Sequence, residues 1–197
     1  MKTSVKTLVF ITTLLLVSHW SGAQLKLPAL SGTAADVKKV IQDYPGHFAA
    51  IKGDLIAEHP QSTEYQCTLK MNGAEESTIT RHSSKKEIYS WQAVMLTTES
   101  FDKAKQKFRS LFTQLNNLTV QVDGAGTLHF KGTYEQPSEE RKFTSVLLTD
   151  DDQPVGPGKL VLEISLQYQE PMEWKVKIIL YDKERGDEEK GAEKETR

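Results

Sequence analysis

The amino-acid sequence predicts an α+β fold, a strongly twisted antiparallel sheet of about eight or nine strands with two amphipathic helices on one face. Two segments keep apolar residues at helical spacing, and almost everything else alternates apolar and polar residues with period two. Helices and strands do not alternate along the chain, as a doubly wound parallel sheet would require. A helix followed by about four short strands occurs between positions 33 and 97 and again between 98 and 182, so two helix-plus-four-strand halves are one form of this architecture. No Pro- or Ser-rich linker divides residues 33–182, which favours a single domain. The pattern is compatible with one continuous sheet or with two smaller ones.

The first helix is read in "TAADVKKVIQDY". Thr33 and Asp36 have the spacing of a capping box, and Val37, Val40, Ile41 and Tyr44 form one apolar stripe that Pro45 and Gly46 end. In the second, Phe101, Ala104, Phe108, Leu111, Phe112, Leu115 and Leu118 keep helical spacing after Thr98 or Ser100 as cap, with Glu99 and Asp102 in the first turn. Strands are expected over 51–58, 64–71, 77–82, 87–96, 119–123, 127–135 and 142–148. The clearest alternation is "KLVLEISLQY", with Leu160, Leu162, Ile164, Leu166 and Tyr168 on one side. After the turn "EPME", Trp174, Val176, Ile178 and Leu180 return as its hairpin partner.

The N-terminus reads as an export signal. Lys2 and Lys6 precede the apolar run "LVFITTLLLV", and Ser21 and Ala23 are the small residues a signal peptidase requires. Residues 1–23 are therefore expected to be removed between Ala23 and Gln24, leaving a flexible segment over 24–32. The apolar run is too short to span a bilayer, which takes roughly 20 residues, and no cysteine follows it to carry a lipid. With Cys67 alone no intrachain disulfide can form, which favours a bacterial periplasmic or secreted protein over a disulfide-stapled one. The tail 183–197 has no apolar residue larger than Ala192 and is expected to be disordered.

Charge excludes some partners. Without Lys2 and Lys6, 23 basic residues stand against the 27 acidic ones, whereas sequence-independent nucleic-acid binding needs a clustered basic face. Lys103, Lys105, Lys107 and Arg109 read as the wet side of the second helix. No metal site or cofactor is expected: HxH, HExxH, paired cysteines, a nucleophile elbow and a phosphate-cradling glycine loop are all missing.

Individual motifs are each weighed against a plain structural role. "DDDQPVGPG", Asp150 to Gly158, has the acids, prolines and glycines of a long hairpin loop rather than the ligand spacing of a calcium site. Cys67 shares an apolar side with Tyr65, Leu69 and Met71 and reads as a small core residue. Asn117 begins the sequon "NLT", but asparagine is favoured just past a helix end in any case. His129 and Lys131 point outward together near Thr133, either as a patch for an anionic partner or as an ordinary wet strand face.

In "IYSWQAVML", Tyr89, Trp91, Ala93 and Met95 share one side while Ile88, Val94 and Leu96 share the other, as in a strand covered on both faces. The reading that asks least is a non-enzymatic exported binding or interaction domain, using the surface around Tyr89 and Trp91 or exposed sheet edges. The alternative is a carrier of a small apolar or amphipathic ligand held among Trp91, Phe108, Phe112 and Trp174. A hydrolase requires two of His47, His59, His82 and His129 to converge with a carboxylate. The partner is thus an unidentified protein or small apolar ligand, and the sequence names no catalytic residue.

Overall fold

A computed structural model describes residues 32–83, 87–124, 126–150 and 160–182. The expected signal segment, the loop residues 151–159 and the tail 183–197 lie outside the described residues. Helix α1 (Gly32–Asp43) runs into a 3₁₀ turn (Tyr44–Gly46) and four strands, β1 (Lys52–His59), β2 (Ser62–Cys67), β3 (Glu76–Ser83) and β4 (Glu87–Thr98). Helix α2 (Phe101–Leu115) leads to β5 (Leu118–Val122), β6 (Gly126–Phe130), β7 (Phe143–Leu148), β8 (Leu160–Gln169) and β9 (Glu173–Asp182). Two helices and a mainly antiparallel set of strands give the α+β class that the periodicities predict.

The strands form two sheets rather than one. Seven pair in the order β1-β2-β3-β4-β9-β8-β7, and β5 and β6 stand apart as a hairpin. The chain after α2 therefore holds five strands, not about four, and two of them leave the main sheet. The last strand, β9, crosses back to pair with β4, so the N-terminal meander and the C-terminal strands meet in the middle.

Period two explains the core. On β8 and β9, Leu162 faces Leu180, Ile164 faces Ile178 and Leu166 faces Val176, and all six are fully buried. Such cross-strand apolar pairs hold register, because a one-residue slip would turn the whole set outward. Ala104, Phe108, Leu111 and Leu115 of α2 join the same core, and that helix packs on β4, β8 and β9. Val37, Val40 and Ile41 bring α1 onto β5 and α2. An isolated two-stranded hairpin is marginal in water; here Leu118, Val120, Val122, Leu128 and Phe130 bury its inner side in the common core.

Local departures from the expected pattern have identifiable causes. A bulge in β4 puts Val94 opposite Lys177 but Leu96 opposite Val176, so Leu96 turns to the core side with Met95 instead of sharing a side with Ile88 and Val94. Helix α2 stops before Leu118 because Asn116 is extended and Asn117 takes a positive φ of 66°, the helix-ending geometry that asparagine tolerates. Strand β6 ends at Phe130, short of position 135. Lys131 then bridges to Thr149, and Gly132 passes so close to β7 that a Cβ there would sit 2.3 Å from the Leu147 carbonyl oxygen. Only glycine permits that approach.

The capping box is not made. The Thr33 hydroxyl donates to the Asn72 carbonyl at 3.1 Å, and the Asn72 N–H donates to the Asp36 carboxylate at 3.0 Å. Lys39 holds the other Asp36 oxygen, so these groups clamp the start of α1 to the turn between β2 and β3. Burial pushes the Asp36 pKa up, but the Asn72 amide and the Lys39 hydrogen bond and charge outweigh it and leave the acid below its ordinary 3.8.

Two tests follow from these contacts. Phe108, with no exposed surface, should cost about 3–5 kcal/mol when changed to Ala, whereas Phe143→Ala, at 54 % exposure, should stay within about 0.5 kcal/mol; urea unfolding separates the two. For Asp36→Ala, the deficit relative to wild type should be full at neutral pH. A depressed folded pKa gives stability that is present above the unfolded value, so this deficit should begin to close near pH 3.8 and shrink further as the folded value is passed. Unfolding curves at several pH values read it directly.

Candidate functional site

Of the five aromatic residues singled out from the sequence, Tyr89, Trp91, Phe108 and Trp174 are buried and Phe112 packs partly buried against the same core. Trp91 and Phe108 are fully buried, with Trp91 in β4 opposite Leu180 and Ile79. Trp174 packs at ring-centre distances of 4.9 Å from Phe101 and 5.2 Å from Tyr168. Phe108 and Phe112 both meet Tyr134, at 6.1 and 5.2 Å. Desolvation raises the Tyr134 hydroxyl pKa, partly offset by the Arg109 charge. These rings all belong to one apolar core, and Trp91 keeps one oddity, a buried indole N–H without a protein acceptor.

Tyr89 belongs to a different cluster, built by the turn that follows α1. Asp43 accepts the N–H groups of Ala50 and Ile51 at 3.1 and 3.2 Å, which folds residues 44–51 back over the helix end. His47 and Phe48 within this turn have φ of 57° and 58°, the left-handed region that costs a side-chain-bearing residue about 1–2 kcal/mol. The strain is held by contacts. Phe48 is fully buried, and the His47 ring lies nearly parallel to Tyr89 at 4.9 Å. The Lys52 ammonium sits 5.2 Å from both the Tyr65 and Tyr89 rings, tying β1 to β2 and β4. This stack fastens the turn to the sheet, with His47 itself exposed.

A concave site of mixed polar and apolar lining forms where the open end of the β5–β6 hairpin meets the end of β7. Asn117, Thr119, His129, Phe130, Lys131, Thr149 and Asp150 line a cleft of about 370 Å³. Alternation on β5 and β6 places Thr119, His129 and Lys131 outward, because Leu118, Val120, Leu128 and Phe130 take the core side. Thr119 and His129 are register partners, and their Oγ1 and Nδ1 atoms are 3.0 Å apart. The Asp150 carboxylate accepts the His129 backbone N–H at 2.9 Å, and the paired Lys131 and Thr149 amides close the joint beside it. Asp150 is therefore a buried edge cap for β6 rather than a water-facing loop acid. The other acids of that run lie outside the described residues.

The sequence marked His129 and Lys131 but not their neighbours. Thr119 and Asn117 carried a signal only as a sequon, and Asp150 only as the start of an acidic run. The β5–β6 pairing sets Thr119 beside His129, and the Lys131–Thr149 bridge brings Asp150 to them across a separation that no motif registers.

Other chemistry-bearing residues stay dispersed. His82 Nε2 is 3.1 Å from Ser90 Oγ, but Ser90 is buried inside β4, which pairs on both sides and leaves no neighbouring amides for an oxyanion hole. The Cys67 thiol donates to the Leu69 carbonyl at 3.8 Å. Among the described residues no three His, Cys, Asp or Glu side chains group to hold a metal, and no helix is long and apolar enough to cross a membrane.

The backbone strain at the α1 turn gives a direct test. His47→Ala and His47→Gly both lose the ring stacked on Tyr89, but only glycine relieves the positive φ. The Gly variant should be the more stable of the two by about 1 kcal/mol in chemical denaturation. In comparisons with known proteins, the chain matches no family model, no curated protein and no solved structure, so the function is argued from the cleft itself.

Proposed function

We propose that this chain is a non-enzymatic exported binding domain whose ligand sits in the cleft between the β5–β6 hairpin and the end of β7. The observation that carries the reading is the convergence of Asn117, Thr119, His129 and Lys131 on one concave surface of about 370 Å³. That volume suits a small molecule, and ligand sites of this kind combine concavity with a few oriented polar groups. The cleft joins Phe130 to polar groups and is a different place from the one a carrier built on Trp91, Phe108, Phe112 and Trp174 would use. The rigid core under the hairpin supports binding without rearrangement, since Phe130 and Leu128 anchor β6 directly behind the cleft.

Export supports the same reading. The charged start, the apolar run and the small residues Ser21 and Ala23 are what a signal peptidase substrate requires, and they point to a periplasmic or secreted location. We also favour an architecture of two helix-plus-strand halves with both helices on one face of the main sheet. It motivates no part of the binding site.

Native mass spectrometry of the mature chain, residues 24–197, purified from its own host tests the proposal. A reproducible extra mass should appear, and it should be lost from the Asn117→Ala/Thr119→Ala double variant while the protein stays folded. An extra mass retained by that variant would move the site elsewhere, and a bare monomer mass from several growth conditions would remove the small-ligand reading.

A further inference from the structure

The cleft carries charges of both signs. Lys131 is exposed, and the Asp150 carboxylate, buried and accepting the His129 backbone N–H, borders the same surface. Such a lining has no single sign with which to prefer an anion or a cation. Thr149 and Asp150 are engaged in further contacts, so recognition falls to Asn117, Thr119, His129 and Lys131. Two of these groups can act either way. The Asn117 side chain is exposed, makes no hydrogen bond among the described residues, and sets an amide donor beside an amide acceptor. His129 Nδ1 lies 3.0 Å from the Thr119 hydroxyl, which donates to one tautomer and accepts from the other. The ring's Nε2 is then a donor or an acceptor in turn.

Resting on the binding reading above, we infer that the ligand is a neutral polyhydroxylated molecule, a sugar or polyol, held by the Asn117 amide and the His129 imidazole with Lys131 as a further donor. A hydroxyl both donates and accepts, so it satisfies His129 in either tautomer. Two neighbouring hydroxyls match the donor and acceptor that an amide holds side by side. An ion would gain from one of the two charged groups and lose to the other. An apolar molecule would take Asn117 and His129 out of water without replacing their hydrogen bonds. At about 370 Å³ the cleft lies at the small end of ligand pockets, which run from about 300 to 1,000 Å³.

The test is a titration of the ¹⁵N-labelled mature chain, followed by amide NMR, with glucose, galactose, mannose and myo-inositol as neutral probes and with inorganic phosphate and choline as ionic ones. At least one neutral probe should shift the amides of Asn117, Thr119, His129 and Lys131 in a saturable way, and phosphate and choline should not. Asn117→Gly removes the side-chain amide at a backbone φ of 66° that glycine accepts without strain. It should weaken the responding sugar about tenfold while leaving the rest of the spectrum in place, and His129→Ala should weaken it by about the same factor. Raised sodium chloride should leave the affinity within about twofold, since screening acts on ionic contacts and not on a neutral ligand. Saturable shifts of these amides by phosphate or choline, with the neutral probes silent, would overturn the sugar assignment and leave the cleft as a binding site. Sugar shifts that survive both substitutions unchanged would overturn it as well. Silence from every probe would count against both the sugar and the cleft.

Discussion

The pairing of β4 with β9 is the contact on which the molecule depends. It joins residues near position 90 to residues near position 180. Closing so long a segment costs conformational entropy that only extensive burial offsets. Both strands supply that burial. Trp91 faces Leu180 and Ala93 faces Ile178, all four at 1 % exposure or less, while Ser90 faces Tyr181 and Gln92 faces Ile179 on the opposite side. Once this ladder forms, β1–β3 extend one edge and β8 and β7 the other, and α2 has a surface on which to lay Phe108 and Leu111.

The position of the cleft follows from the same constraint. β9 takes the place beside β4, β8 and β7 extend the sheet from it, and β5 and β6 form a separate hairpin against α1. The hairpin rejoins the main sheet through one bridge, Lys131 to Thr149, reached by the glycine that slips past Leu147. The cleft lies at this junction, lined from both sides of the bridge. Asp150 closes the exposed edge of β6 at that junction, doing for one amide what a neighbouring strand would otherwise do.

The strained turn after α1 shows how such a molecule distributes its costs. His47 and Phe48 both adopt a left-handed backbone, which neither side chain favours. Burial of Phe48, the stack on Tyr89 and two amides on Asp43 stabilise the turn enough to keep it. Tyr89 was legible in the sequence as part of an aromatic strand. That its ring would be engaged by histidine and lysine from earlier in the chain was not, because those contacts depend on the turn and on the β1–β2–β3–β4 order.

What the sequence determined by itself is the local structure. Alternation in "KLVLEISLQY" and "WKVKIIL" specified β8 and β9 almost to the residue, and the stripe from Ala104 to Leu115 specified α2, because side-chain periodicity and secondary structure share one geometry. Tertiary structure alone decided which strands meet. Pairing is a choice among many apolar strands of similar pattern, and the choice is made by total burial. The separate hairpin, the bulge that turns Leu96 inward and the burial of Asp150 all follow from it. The cleft is legible only at that level, since the β5–β6 pairing sets Thr119 beside His129 and the Lys131–Thr149 bridge brings Asp150 to them.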